Sequence, residues 1–242
     1  MNDGFHVLVI DDGSPDGTAR LVKDLQPSFP GQLFIEERIG KLGLGTAYIH
    51  GFKWAIAHDY QYIFEMDADF SHNPLDLPRL YNACKNEEAD LSIGSRYIKN
   101  GDVINWPKNR IALSKGASFY TRMITWMPIK DPTAGFVCYK KEVLETINLD
   151  EIRFVGYAFQ IEMKFAAWKL GYKIVEVPII FQDRTSGVSK MNKSIVKEGI
   201  LGVLKLRWHS LFINYSKRVK KNNRLNATVN SIQQNEVLAQ SK

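Results

Sequence analysis

The chain has 242 residues, long enough for one sizeable core that needs no disulfide or metal staples. Hydrophobic residues make up 45% and charged residues 24%, which excludes wholesale disorder, collagen-like repeats and low-complexity scaffolds. The net charge of +6 is uneven: nine basic residues against one acid between Lys193 and Arg224 contribute +8, leaving about −2 for the rest of the chain.

Phe5 to Ile10 (FHVLVI) reads as a buried strand that ends in the acidic turn DDGSPDG. Asp16 caps a helix from Thr18 to Leu25, and Pro27 and Pro30 stop it. A short strand, Leu33 to Glu36, leads through Gly40, Gly43 and Gly45 into a helix over Thr46 to His58. The strand Tyr62 to Met66 runs directly into Asp67-Ala68-Asp69, and Asn73-Pro74 opens a helix to about Lys85. Leu91 to Gly94 is a further strand. A polar loop to Asn109, a helix from Arg110 to about Trp126 and a turn at Lys130-Asp131-Pro132 follow. Gly135 to Tyr139 reads as a strand, Phe159 to Leu170 as an amphipathic helix, Ile174 to Phe181 as extended, and Ser194 to Ile213 as helical. The alternation predicts an α/β fold with a mostly parallel, mixed sheet and helices on both faces. Ligands bind beyond the carboxyl ends of such strands, where Asp11-Asp12 and Asp67/Asp69 fall.

No apolar run reaches membrane-spanning length, and the first residues lack the basic flank and apolar stretch of a signal peptide. Cys84 and Cys138 lie far apart without CxxC spacing, a usage that fits a reducing cytosol. The C-terminal helix combines an apolar surface (Ile195, Ile200, Val203, Leu204, Leu211) with Lys197, Lys205 and Arg207, and the KRVKK cluster lies beyond. Such a helix can lie on an anionic bilayer, or it can pack on the domain and leave a solvated basic tail.

Asp67 and Asp69 stand at i and i+2, so on extended backbone both carboxylates face one way and can share a hard cation, Mg²⁺ or Mn²⁺. Acids after a strand are also ordinary turn formers, so the triplet by itself leaves both readings open. The five histidines have no metal-ligand spacing, and the GKLGLG string is no P-loop because no GK[ST] closes it.

The strings VLVIDDGSPDGTA, KLGLGTAYIHGF, IFEMDADFSHNP and IGSRY, in this order and at this spacing, resemble the polyprenol-phosphate (dolichol-phosphate) mannosyltransferases. These are family 2 glycosyltransferases with the A-type nucleotide-sugar fold, and the resemblance runs from about Phe5 to Trp208. It implies inverting transfer of mannose from GDP-mannose to a polyprenyl or dolichyl phosphate, with Mg²⁺ or Mn²⁺, at the cytoplasmic membrane surface and with no nucleic acid. On that resemblance Ile10 and Asp12 contact the nucleoside. Asp67, Ala68 and Asp69 hold the cation and diphosphate, and Asp69 and Arg96 serve the reaction centre. Arg96, Arg110 and Ser114 receive the acceptor phosphate, while Arg184 and Lys190 reach over the donor phosphates from a mobile loop. Lys41 is a further candidate beside the nucleotide, His72 is a polar neighbour of the site, and Glu162 is either near the site or a structural acceptor. Ser71 stands where some relatives place a third cation ligand.

The resemblance also implies an opening strand with a PTYNE-like segment ahead of VIDDGS, which this sequence lacks. The expectation is therefore an N-terminally truncated transferase domain over 1–213 and a basic, then polar, disordered tail over 214–242. Other readings remain: the same fold with a UDP-sugar donor and a lipid-phosphate or glycan acceptor, or an inactive nucleotide-sugar binder. A signalling receiver domain, which also binds Mg²⁺ through acids after its first strand, needs only about half this length.

Overall fold

The structure is a computed structural model that describes residues 4–86, 89–156, 158–183 and 193–213, with side chains in the last range from 199 onward. Its elements in order are β1 (Val7–Asp11), α1 (Thr18–Leu25), β2 (Leu33–Glu37), α2 (Leu44–Ala57), β3 (Tyr62–Glu65), α3 (Leu77–Lys85) and β4 (Leu91–Ser95). Then come β5 (Asp102–Ile104), α4 (Lys108–Thr125), β6 (Val137–Lys140), α5 (Lys141–Thr146), α6 (Ala158–Lys169), β7 (Ile174–Pro178), β8 (Ile180–Gln182) and α7 (Lys193–Ser210).

The strands form a four-stranded sheet, β3-β6-β4-β7, and two separate pairs, β1-β2 and β5-β8. β1-β2, β4-β7 and β5-β8 run parallel. β6 inserts antiparallel between β3 and β4, which makes the sheet mixed, as expected, with its antiparallel member at the centre. β6 also passes straight into α5, which leaves no room for a crossover on that side.

The main core gathers Phe52 from α2, Ile63, Leu91 and Val137 from the sheet, and Phe159 and Phe165 from α6. α6 is not the amphipathic helix expected. Eight consecutive residues, Ala158 to Phe165, are buried, and its polar members Gln160, Glu162 and Lys164 are held by internal hydrogen bonds rather than by water. The loop before Asn109 likewise contains a strand the pattern did not reveal, the three-residue β5. The extended stretch after Ile174 divides at Pro178, whose ring removes an N–H from the ladder. Ile179 then donates to Ser95 O, and β8 leaves to join β5.

α7 packs Val203 and Leu206 into the core while exposing Ile200, Leu204, Trp208 and Leu211. The helix therefore packs on the domain through one face. Residues 214–242, where the tail was expected, lie outside the described residues. Cys84 and Cys138 are free and buried.

Candidate active site

The turn after β1 is built by its own acids. Asp11 is buried, and its Oδ2 accepts from the backbone N–H groups of Gly13 and Ser14, each at 3.0 Å. Hydrogen bonding from Ser14 in particular holds its carboxyl below the usual range. Asp12 projects instead to Arg38 at the end of β2, in a bidentate pair of 2.7 and 2.9 Å. Arg38 also donates to Thr46 Oγ1 on α2, so one guanidinium ties β1, β2 and α2 together. Ile10, the other predicted nucleoside contact, is half-buried, with its side chain close to Gly51 of α2. The exposed Lys41 sits at the entrance to the same loop.

After β3 the backbone bends through Ala68 to Phe70 rather than continuing extended, and Phe70 has φ 63°. Asp67 and Asp69 are both half-buried. Asp67 Oδ1 accepts from Tyr48 Oη at 2.7 Å, and the Tyr48 ring stacks on Phe159. A Cβ on Gly135 would stand 3.6 Å from Asp67 Oδ2, so the absent side chain keeps space open beside that oxygen. Asp69 Oδ1 accepts from Ser71 N at 3.1 Å. The bend removes the extended i, i+2 geometry expected to aim both carboxylates one way; what remains is two hard oxygen donors, of a type that could hold a divalent cation. Among the described residues no group of three or more His, Cys, Asp or Glu is placed to hold a metal ion.

Beneath Asp67 lies a buried polar layer. Tyr139 Oη donates to Glu65 Oε1, and Lys164 Nζ donates to Ala134 O, Gln160 O and Gln160 Oε1. Burial pushes Glu65 up and Lys164 down, each to about 8. His72 is buried between the Phe136 and Phe181 rings, and burial lowers its pKa and favours the neutral imidazole. Ser71 is buried against β8 through its carbonyl.

Arg96 is not the uncommitted cation the motif implied. It is buried, with Nε and Nη2 each 2.7 Å from the two Asp131 oxygens and Nη2 also donating to Thr133. Burial disfavours its charge, but Asp131 more than offsets this and raises its pKa; Asp131 is held low in return, against its own burial. Arg110 lies flat on Trp106, 3.8 Å from the ring centroid, and pairs at 3.0 Å with Asp183. Trp106 also stands 5.8 Å from Arg96, so one indole brings the two arginines into one neighbourhood. Ser114 Oγ accepts from Tyr97 Oη at 2.6 Å. Arg184 and Lys190 lie outside the described residues. Glu162 accepts from the backbone N–H groups of Arg153 and Phe154, the structural role of its two readings.

Sequence reasoning missed Arg38, Tyr48, Asp131 and the Glu65–Lys164 layer. Glu65 carried a signal, being a charge inside an otherwise apolar run. Asp131 looked like a turn residue because its partner is 35 positions away.

The family described as Glycosyl transferase family 2 matches residues 1–147. A polyprenol monophosphomannose synthase from Mycolicibacterium smegmatis is 46% identical over 198 residues, covering 82% of this chain and 74% of the relative. An undecaprenyl-phosphate mannosyltransferase from Micrococcus luteus is 43% identical over 209 residues, covering 85% of each. The crystal structure of glucosyl-3-phosphoglycerate synthase from Mycobacterium tuberculosis with phosphoglyceric acid superimposes with a TM-score of 0.57 at 15% identity. It covers 83% of this chain and 68% of the other. The same enzyme with Mn²⁺, uridine diphosphate and its glucosylated product gives 0.56 at 14% identity, with 84% and 68% covered. The shared architecture is the A-type nucleotide-sugar transferase fold, and with these matches the chain belongs to glycosyl transferase family 2.

Proposed function

We propose that this enzyme is an inverting mannosyltransferase that moves mannose from GDP-mannose to a polyprenyl phosphate at a membrane surface. The observation that carries the reading is the similarity, above 40% over four-fifths of the chain, to two relatives named for mannosyl transfer to polyprenyl phosphates. In this reading Ile10 and Asp12 meet the nucleoside, with Arg38 fixing the Asp12 carboxylate. Asp67, Ala68 and Asp69 receive the diphosphate and a divalent cation. Bound there, Mg²⁺ or Mn²⁺ supplies positive charge to the departing diphosphate. Tyr48 holds Asp67 in place through its hydroxyl. Arg184 and Lys190 cover the donor phosphates.

The acceptor needs no protein base, because a phosphate monoester with a second pKa near 6 is largely dianionic at neutral pH. Arg96, Arg110 and Ser114 orient it. Asp131 and Asp183 keep the two guanidiniums in fixed planes; with Arg96 Nε and Nη2 given to Asp131 and Thr133, its Nη1 is the donor left for a phosphate oxygen. Placement at the bilayer is supported by the exposed Phe119 and Met123 on α4, Trp126 just past its end, and Ile200, Leu204 and Trp208 on α7. No helix among the described residues is long and apolar enough to cross a membrane.

The test is transfer by the purified protein to a short-chain polyprenyl phosphate from GDP-mannose and, separately, from UDP-glucose. Mannose transfer should dominate, should stop on chelation of divalent cations, and should be lost in Asp69→Ala with the fold intact. Transfer from UDP-glucose matching that from GDP-mannose would overturn the donor assignment, and activity in Asp69→Ala would overturn the metal role.

A further inference from the structure

α4 carries a stripe that the transfer reaction leaves unused. Lys115, Ser118, Phe119 and Arg122 fall at i, i+3, i+4 and i+7 on one helix face. With Tyr97 and Lys130 they line an open pocket of about 360 Å³, and Arg96 forms part of its wall. Arg96, assigned above to the acceptor phosphate, is a wall the two sites share, and its charge is matched by Asp131. Lys115, Arg122 and Lys130 make no ion pair with any carboxylate among the described residues, and no acid lines the pocket. Ser118 is 3% exposed, and its Oγ has no hydrogen-bond partner. A serine within a helix ordinarily returns its proton to a carbonyl one turn back, and a buried hydroxyl left without an acceptor is costly. An anionic oxygen in the pocket would complete Ser118 and offset part of the charge of the three cations.

We propose that this pocket seats the phosphodiester of an anionic phospholipid, as a headgroup site separate from that of the acceptor phosphate. Charge complementarity and position commit it to a lipid rather than a free anion. Phe119 and Met123 on the same helix are 64% and 59% exposed, and Trp126, one turn beyond Arg122, is 71% exposed with Arg207 stacked on it. Aromatic and thioether side chains beside a basic cluster are suited to the headgroup boundary of a bilayer. The inference rests on the preceding reading only in placing the enzyme at a membrane.

The experiment measures sedimentation of the full chain with phosphatidylcholine vesicles, with and without phosphatidylglycerol. Transfer to a short-chain acceptor in detergent is measured in parallel. The wild type should favour the phosphatidylglycerol vesicles. Lys115→Gln/Arg122→Gln/Lys130→Gln should lose about a hundredfold of that affinity, and Ser118→Ala about three- to tenfold. Both should keep the wild-type kcat and KM in detergent. In the unmodified protein, glycerophosphoglycerol, a soluble phosphodiester headgroup, should raise the melting temperature, and should do so less in Ser118→Ala, which reads the site even if the triple variant folds poorly. Weakened binding in the triple variant with none in Ser118→Ala would mean a diffuse basic face and overturn the seat. A raised acceptor KM in detergent with unchanged vesicle binding would hand the pocket to the acceptor and overturn it too. Failure of wild-type transfer bears on the proposed reaction and leaves the vesicle result readable.

Discussion

Arg96 and Asp131 concentrate at one point what a charged pair can contribute to structure and to chemistry. Both side chains are almost entirely out of water, at 8% and 0% exposure, so neither charge tolerates the loss of the other. Asp131 also accepts from the Arg96 backbone N–H, and its own backbone N–H donates to Glu176 of β7. The pair therefore pins the end of β4 to the loop ahead of β6. Asp131→Ala should cost about 3–5 kcal/mol by stranding the guanidinium. Arg96→Met/Asp131→Leu should recover most of that stability and still fail to transfer mannose. Chemical denaturation alongside the transfer assay separates the two effects. A double variant that transfers normally would show that the guanidinium serves only the fold.

At the scale of elements, the loop into α2 shows how a glycine-spaced string can be structural. Gly43 has φ 100°, a region that side chains seldom adopt. Gly45 lies where α2 abuts the chain before α6: its N–H donates to Val155 O, and an added Cβ would come within 2.8 Å of Phe154 O and of the Phe159 ring. Backbone cannot give way there as a flexible side chain can. Gly45→Ala is thus expected to cost about 1–3 kcal/mol through overpacking. Gly116, inside α4 with nothing within 4 Å of the added atom, provides the contrast, and Gly116→Ala should gain about 0.5–1 kcal/mol of helix stability. Thermal unfolding of both variants checks the pair; equal effects would mean that helix propensity, and not the close approach, decides. The same elements explain what the sequence disclosed. Strands ending in acids are legible because apolar runs stop abruptly at Ile10 and Met66. β5 is hidden because three residues carry no period, and α6 misleads because buried, internally bonded Gln160, Glu162 and Lys164 look like a solvated face. Asp131, Arg38 and Tyr48 could not be found by spacing, since folding alone brings each to its partner.

Across the whole molecule, the strands divide into a robust centre and a looser β1-β2 side. All five residues of β4 are buried, and it is hydrogen-bonded on both edges, by β6 and β7. β1 is bonded along one edge, to β2, and its other edge joins no strand among the described residues. What holds β1-β2 against the rest is α2 and a set of ring contacts: Phe5 with Phe64 and Tyr81, His6 with Tyr60, and Phe34 with Trp54. Local opening follows from few buried contacts and exposed backbone hydrogen bonds, so β1-β2 should open at lower free energy than the four-stranded sheet. Hydrogen exchange read by mass spectrometry should show β1 and β2 exchanging at least about a hundredfold faster than β4, equivalent to about 3 kcal/mol. Ile10 and Asp12 lie in and just beyond β1; if, as proposed, they meet the nucleoside of GDP-mannose, a guanosine nucleotide should slow exchange there by closing the open form, with little change in β4. Equal protection of β1 and β4 without nucleotide would mean that the aromatic contacts lock the two parts as firmly as a shared ladder. Slowing confined to β4 would place the nucleotide away from the Asp12–Arg38 pair.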